Sequence, residues 1–587
     1  MKRALALILA LVMTMALVAC GGDKPTTSTS GTDKPATSTP ATPGTDKPAE
    51  PTLTKAEQLK KDNAEKYGGE AVILFGGQSP TMDMHSSNAG SLYVNRFGLM
   101  IWESLLSLDS NGKTYPVICD LEESADGLTY TLTLRDRHFS NGKKITMEDI
   151  EASMRRYVAM NTTTQSTFEK NWKGTTWKID GDKLIFHTES FNINFKQILQ
   201  SNAGNFKIMP KEICEKWAPD WSTGTYDPAT DLTWGCLTVK EINEEADCIG
   251  SGPYMLESWN GDGEIVLVRN ENYEIITEGN EDAVGIAAPR MAYLDKITYS
   301  VNTDSASTTA ATLAGEYDIG AVQADMWDTA SSMGLKKWDA GTSWTHGIFF
   351  NLHESNADSI IANVNVRKAI RAVVDSNAAL LAVCGGRQER VVLDPYSVLK
   401  SNAAYASNKM EENEYNIKDV AKAKEYLAAA NYNGESIVYL THASGNFYKA
   451  AMAVIPMMES AGMKVELMTV DNGSHTAMRK DPKTGHDIGC WEVQKNEENP
   501  VLHSTFVTGT QGWWTSPEKE AAIAIMKTTP TGSPESVAAY NDYLDCVVED
   551  VPYILFGHLV GFTWSQGDFV LDSIGQTVYH WNSYLVK

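Results

Sequence analysis

The chain has 587 residues, 42% of them hydrophobic and 21% charged, enough apolar material for a large core and too much for a disordered polypeptide. Fifty lysines and arginines against 75 aspartates and glutamates give a formal net charge of −25, a field that repels phosphate backbones and disfavours a nucleic-acid partner. Eight cysteines stand without a C-x-x-C pair, which removes zinc ribbons and thioredoxin-type redox motifs.

Residues 1–20 read as a charged start (Lys2, Arg3), an apolar run broken by Thr14, and Leu17-Val18-Ala19-Cys20. The run is shorter than the roughly 20 residues that cross a bilayer, so it reads as a signal peptide. Leu-Val-Ala-Cys resembles a bacterial lipobox, which implies that Cys20 becomes the lipidated N-terminus. Residues 21–66 form a Thr/Pro/Ser-rich tether with an entry helix, Asp-Lys-Pro recurring at 23–25, 33–35 and 46–48; such a segment cannot bury apolar surface. Removing Cys20 leaves an odd number of thiols, and Cys236 and Cys248 are close enough in sequence to bridge across a loop.

In the body, Ala71–Phe75 followed by Gly76-Gly77 is the pattern of a buried strand with a loop at its carboxyl end. A helical stretch over roughly 90–106 comes next, then the strictly alternating strand Leu128–Leu134 and a turn at Asn141-Gly142. Thr146 and Asp149 form a capping box opening a helix. Strands follow at 183–187, 264–269 and 296–301, with a helix over Ser305–Ala314 that Gly315 ends. Further on come a strand at Thr345–Leu352, a helix over 365–383 stopped by Gly385-Gly386, and helices at 417–430 and 448–460. Strands at 464–470 and 487–493, with a short helix between them at 474–480, complete the series. This βαβ succession predicts an α/β fold with a mostly parallel sheet.

Catalytic patterns are sparse. There is no H-E-x-x-H, G-x-S-x-G or P-loop. Ser397-Val398-Leu399-Lys400 matches S-x-x-K and Lys483-Thr484-Gly485 matches K-T-G, but no S-D-N lies between them, and a two-position pattern arises about once or twice by chance in such a length. A serine hydrolase using Ser397 and Lys400 is the rival class. No histidine pair has metal-ligand spacing with a carboxylate alongside; His346 and His353 lie on one predicted strand with opposite parity. Aromatics are abundant, with 15 Trp, 23 Tyr and 15 Phe, and Gly512-Trp513-Trp514-Thr515-Ser516-Pro517 puts two adjacent indoles in a loop, where a cleft wall for a small solute is one use.

Ordered blocks from residue 70 onward carry a family resemblance. They are Ile101–Leu106, Leu128–Arg135, Phe139–Lys143 and Met147–Ile150, then Gly250–Tyr254 with Arg269–Tyr273, Val366–Ile370 and Ala461–Glu466. Together they resemble the extracellular solute-binding proteins, family 5, which serve ATP-driven importers of peptides, nickel and other solutes. The resemblance implies a two-lobed periplasmic-binding-protein-like fold of class II type, with an extra subdomain inserted in the first lobe. On this chain the first lobe falls at 67–110, 205–302 and 550–587, the insertion at 111–204 and the second lobe at 303–549, with a hinge near Val301-Asn302 and Asp550-Val551.

The implied role is that of a non-enzymatic, monomeric, lipid-anchored receptor on the extracytoplasmic face of the membrane. It would pass short peptides to a cognate ABC permease, without cofactor or metal. An oligosaccharide or nickel chelate is the alternative cargo. In peptide-binding members an aspartate follows a Gly-Trp and pairs with the peptide's amino terminus; here Gly489-Cys490-Trp491 is followed by Glu492–Pro500. Glu497 or Glu498 is the candidate for the amine and Arg387, in a Gly-Gly-Arg loop, for the carboxylate. Trp491, Trp513 and Trp514 are candidates for stacking, and Ser79, in the Gly76–Met84 loop, for the first-strand side of the cleft.

Overall fold

The computed structural model describes residues 53–587 except 78–80, 87–91, 110–112, 162–173, 193–194, 201–205, 221–226, 228–233, 262, 397, 399–401, 494–499, 503–511 and 572–578; for 92–96, 161, 197–198, 342–344, 472, 491 and 493 it describes the backbone alone. Among the described residues the main sheet has eleven strands. Its first half runs Tyr254–Trp259, Glu264–Arg269, Lys296–Val301, Glu70–Phe75, Ile319–Gly320. Two long strands then cross the middle, Tyr553–Ser565 and Lys336–Phe350, and the second half continues with Ile488–Val493, Ser436–His442 and Lys464–Val470. Val391-Val392 pairs with the 553–565 strand off this path.

The sheet is mixed, not mostly parallel. Glu70–Phe75 is parallel to both its neighbours and Ser436–His442 to both of its own, as βαβ crossovers require. The long pair is antiparallel and so are its contacts with 319–320 and 488–493, because strands returning from far along the chain close the middle.

Each half has its own core. On one side Ile73, Phe75, Trp102, Tyr254, Ile297 and Tyr299 are buried together; on the other Ile348, Ile370, Tyr439, Val454, Ile488 and Phe556 are. A four-stranded antiparallel sheet, in the order 119–123, 129–134, 183–188, 175–180, packs Tyr130, Leu132 and Phe186 against Ile150 and Met154 of the helix Met147–Asn161. Thr146 and Asp149 cap that helix reciprocally, Asp149 Oδ2 accepting from both the backbone N (2.8 Å) and Oγ1 (2.7 Å) of Thr146.

Several local expectations are revised. The helix after the first strand spans Leu92–Ile101 only, and Leu106–Leu108 is already a strand. The 365–383 helix is two, Val364–Val373 and Ser376–Val383, because Val374 turns extended (ψ 123°) and Asp375 caps the second through Ala378 N. His353 lies beyond the strand that holds His346 and caps the turn Glu354–Asn356. The expected hinge pairs are element ends inside one half: Val301 ends a first-half strand and Asp550 ends the helix Pro534–Asp550. Residues just past 302 stay with the first half, where Ile319 joins the Ile73 core. Cys236 and Cys248 are both free thiols and do not bridge.

Candidate functional site

The pairing register locates a crevice. Ile319 faces Ser565 and Gly320 faces Trp564, so the parallel strands of the first half run towards the middle of Tyr553–Ser565. Phe350 faces Ile488 and Thr345 faces Val493, so Ile488–Val493 and its parallel partners run towards the same middle from the other side. The carboxyl ends of both sets converge there, which is where open α/β sheets hold ligands. At that crossing the long pair loses its regular register between Asp339 and Thr342, Thr342 and Thr345, and His346 and Gly347. Bulges of this kind bend and re-aim strands.

At the second-half side of the crossing, Glu492 stands directly opposite His346. The His346 Nε2 lies 3.4 Å from Glu492 Oε1, with the imidazole 2% and the carboxylate 28% exposed. Burial, reinforced by Arg390 and His558, drops the His346 pKa to about 4, so the ring is neutral at pH 7. Burial also raises the pKa of Glu492, against a hydrogen bond from Asn446, which sits in the first turn of the helix Gly445–Ser460. Across the neighbouring strand, His558 pairs with Thr345 and lies 4.0 Å from the buried Asp394, and Arg390 Nε donates to the Val560 carbonyl (3.1 Å). On the first-half side, the segment after Phe75 is held at Asp83, His85 and Ser86; His85 Nε2 bonds the Lys207 carbonyl (2.7 Å) and Ser86 Oγ donates to Glu241.

The candidates from the sequence do not all gather at this point. Trp491 belongs to the converging strand by its backbone, and its side chain lies outside the described residues, as do Ser79, Glu497, Glu498, Ser397, Lys400 and Cys20 altogether. Trp514 is core: its indole packs on Tyr543 and Tyr553, and Nε1 donates to Asp550 Oδ2 (2.8 Å). Trp513 sits at the outer end of the sheet, against His353 and His486, where Leu352 N donates to the Gly512 carbonyl. Five residue steps separate Phe350 from Thr345, roughly 17 Å of strand, so the Trp-Trp loop is remote from the converging ends. Arg387 is already engaged: Nε (3.0 Å) and Nη2 (2.5 Å) donate to the Ala324 carbonyl and the guanidinium lies over the Trp327 ring. A groove of about 370 Å³ lined by Lys60, Tyr67, Arg269 and Tyr273 opens at the amino end of the Glu70–Phe75 strand, away from the crossing. Lys483-Thr484-Gly485 is a turn, with Lys483 N on Asp481 Oδ1 and Gly485 at φ +80°.

Glu492 and His346 escaped the sequence reading. Each was visible, one after Trp491 and one on a predicted strand, but their antiparallel pairing across some 140 intervening residues has no local signal.

The pattern of the bacterial extracellular solute-binding proteins, family 5 (middle), matches residues 113–530. The chain belongs to that family. Among relatives of this family 5 protein, the oligopeptide-binding protein OppA of Bacillus subtilis (strain 168) is 24% identical over 377 residues, 63% of each chain; the match thus spans just under two thirds of that relative. The periplasmic binding protein DppA of Helicobacter pylori, in complex with the peptide STSA, superposes with a TM-score of 0.64 at 17% identity over 90% of this chain and all of that one. NikA of Brucella suis, in complex with Fe(III)-EDTA, gives 0.66 at 17% identity over 88% of this chain and 100% of its own. The family 5 protein therefore has the two-lobed α/β fold of periplasmic binding proteins. Among its described residues no helix is long and apolar enough to cross a membrane, and no group of three or more His, Cys, Asp or Glu stands where it would hold a metal ion.

Proposed function

We propose that this chain is the lipid-anchored receptor of an ABC importer, capturing short peptides between its lobes and handing them to the membrane permease. The observation that carries this is the convergence of both sets of strand ends on the bulged crossing, where a solute would touch both halves at once. A ligand that gains contacts from both lobes only when they approach shifts the protein towards closure. On this reading the lobe division taken from the sequence, 67–110 with 205–302 and 550–587 against 303–549, has its joints moved to the middles of the two long strands. The insertion at 111–204 rides on the first lobe.

Trp491 is the proposed stacking residue, and Glu497 or Glu498 the proposed partner of the peptide amine, since all three lie on or just after the converging strand Ile488–Val493. Arg387 is not retained for the carboxylate, because its guanidinium holds Ala324 and Trp327. The peptide-bound DppA and the peptide-binding OppA support a peptide cargo; NikA with its chelate keeps a metal chelate as the second reading. Thermal-shift screening of peptide, sugar and metal-chelate libraries tests the choice. A rise in melting temperature with peptides alone is expected, and a rise with sugars or chelates alone would replace the cargo.

A further inference from the structure

The groove at the amino end of Glu70–Phe75 encloses about 370 Å³, within the range of small-molecule sites. Its floor is apolar, made by the buried Tyr273, Ile275, Met291 and Ala292. The entry helix Lys55–Asp62 seats on the same cluster through Ala56 and Leu59, and Lys60, Ala64 and Tyr67 close that side of the groove. The walls are pinned. Tyr67 Oη donates to the Met291 carbonyl (3.0 Å), Asn270 Nδ2 to the Gly252 carbonyl (2.9 Å) and Tyr273 Oη to Glu103 Oε1 (3.3 Å). Arg269 lies over the Tyr67 ring, donates from Nη1 to the carbonyls of Ala292 (3.0 Å) and Tyr293 (2.9 Å), and pairs with Asp295 and Glu271. Side chains held this way do not fold into the space, so the cavity is preformed and spares a ligand the cost of ordering it.

Charge decides the kind of ligand. The lining holds two cations, Lys60 and Arg269, and one carboxylate, Glu271, which Arg269 Nε already engages at 3.0 Å. Lys60 has no ion-pair partner among the described residues, because Glu57, one turn back, gives its carboxylate to the Thr54 cap. A chain of net charge −25 thus presents a cation to spare at the rim of an apolar cavity. A cationic head would meet Lys60 and Arg269 together, and a neutral one would leave Lys60 unused. We propose that this groove is a second ligand site, separate from the interlobe crevice, for a small amphipathic anion: an apolar body, alkyl or aryl, ended by one carboxylate. The body would lie on Tyr273, Ile275 and Met291 and the carboxylate at the rim against Lys60. Lys60 and Ala64 belong to the entry segment and the floor to the main body, so a bound ligand would hold the two together. The inference does not rest on the peptide reading, since the converging strand ends lie at the other end of Glu70–Phe75.

The test is isothermal titration of the purified full-length protein at neutral pH and low salt with four probes: octanoate, 3-phenylpropionate, the neutral 3-phenylpropionamide and the cationic 3-phenylpropylamine. Expected is saturable binding of at least one carboxylate, with phenylpropionate at least threefold tighter than its amide if the aryl body is the one accepted, and octanoate alone binding if the alkyl body is. The amine should bind weakest, and the carboxylate's affinity should fall in high salt, as an exposed pair requires. Lys60→Glu should weaken the carboxylate about fivefold and leave the amide unchanged. Ala64→Trp, which fills the groove from an exposed position, should abolish binding of every probe. Melting of both unliganded variants at the wild-type temperature shows that they are folded; if Ala64→Trp melts early, Lys60→Glu alone decides. No saturable binding of either carboxylate up to about 5 mM, amine binding as tight as carboxylate, or carboxylate binding unmoved by Lys60→Glu overturns the proposal, and each of these leaves the peptide reading of the crevice standing.

Discussion

Arg156 and Asp83 form a bidentate ion pair with neither side chain exposed to solvent: Nη1 donates to Oδ1 at 2.9 Å and Nη2 to Oδ2 at 2.5 Å. Asp83 also accepts from His85 N and Ile242 N, and Arg156 donates to the Lys240 carbonyl. One residue pair thus ties the segment beyond the first strand to the Met147–Asn161 helix and to the chain around 240. Burial works to raise the Asp83 pKa, but the guanidinium outweighs it and holds the carboxyl below its usual range. Removing either partner strands a buried charge, so Asp83→Asn or Arg156→Met should each cost about 3–5 kcal/mol in urea unfolding. The double replacement should cost less than the sum of the two.

Three buried histidines make the fold acid-sensitive. His85 is pushed down to about 3, by burial and then by Arg156, while His346 and His475 are pushed down to about 4, mainly by burial. Below pH 6.5 the unfolded chain binds protons at these positions and the folded chain does not, so stability falls as pH drops from about 6.5 towards 4. Glu492, raised by burial, works the other way. Urea midpoints should therefore fall between pH 6 and 5, each of the three histidines contributing up to about 1.4 kcal/mol per pH unit.

The two kinds of tryptophan should separate in a mutant pair. Trp514→Ala opens a core lined by Tyr543 and Tyr553 and should lower stability by about 3–5 kcal/mol, with ligand affinity in the folded protein unchanged. Trp491→Ala should weaken peptide binding more than tenfold, about 1.4 kcal/mol, and leave the unliganded melting temperature nearly where it was. Calorimetric titration and melting of the same samples read both effects.

Gly557 sits in the crossing at φ +126°, and a Cβ there would meet the Val392 carbonyl oxygen at 2.2 Å. Gly557→Ala should therefore destabilise by at least about 2 kcal/mol, measured by urea unfolding. The neighbouring Gly561, where a Cβ would find only contacts of 3.6 Å or more, should accept alanine at less than about 1 kcal/mol.

The anchor is open to a cellular test. Cys20→Ala removes the thiol that the lipobox reading requires, and should move the protein from the membrane fraction to the medium or periplasm. Metabolic labelling with radioactive palmitate should mark the wild type alone.

What could be read from the amino acids was local. The alternation of Leu128–Leu134, the capping box at Thr146 and Asp149, and the glycine stop after Ala314 each depend on neighbours within a few residues, and each stands where it was expected. The mixed sheet was not legible, because the pairing of Lys336–Phe350 with Tyr553–Ser565 links stretches about 200 residues apart. The same distance hid the Glu492–His346 pair. The Trp513-Trp514 reading fell to geometry of the same kind: the loop follows the converging strand in sequence, yet its backbone bonds to Leu352 at the sheet's outer end.

The strand Tyr553–Ser565 serves three partners, Ile319–Gly320, Lys336–Phe350 and Val391-Val392, and it follows all three in the chain. Until it arrives, Lys336–Phe350 has one bare edge in what will be the centre of the sheet, a template for pairing with other chains. The two halves must then wait in partly built form for a late, long-range closure, the slow kind of β pairing. A chain cut short before Tyr553 would keep both outer sets of strands and lose the one that joins them in the middle of the sheet.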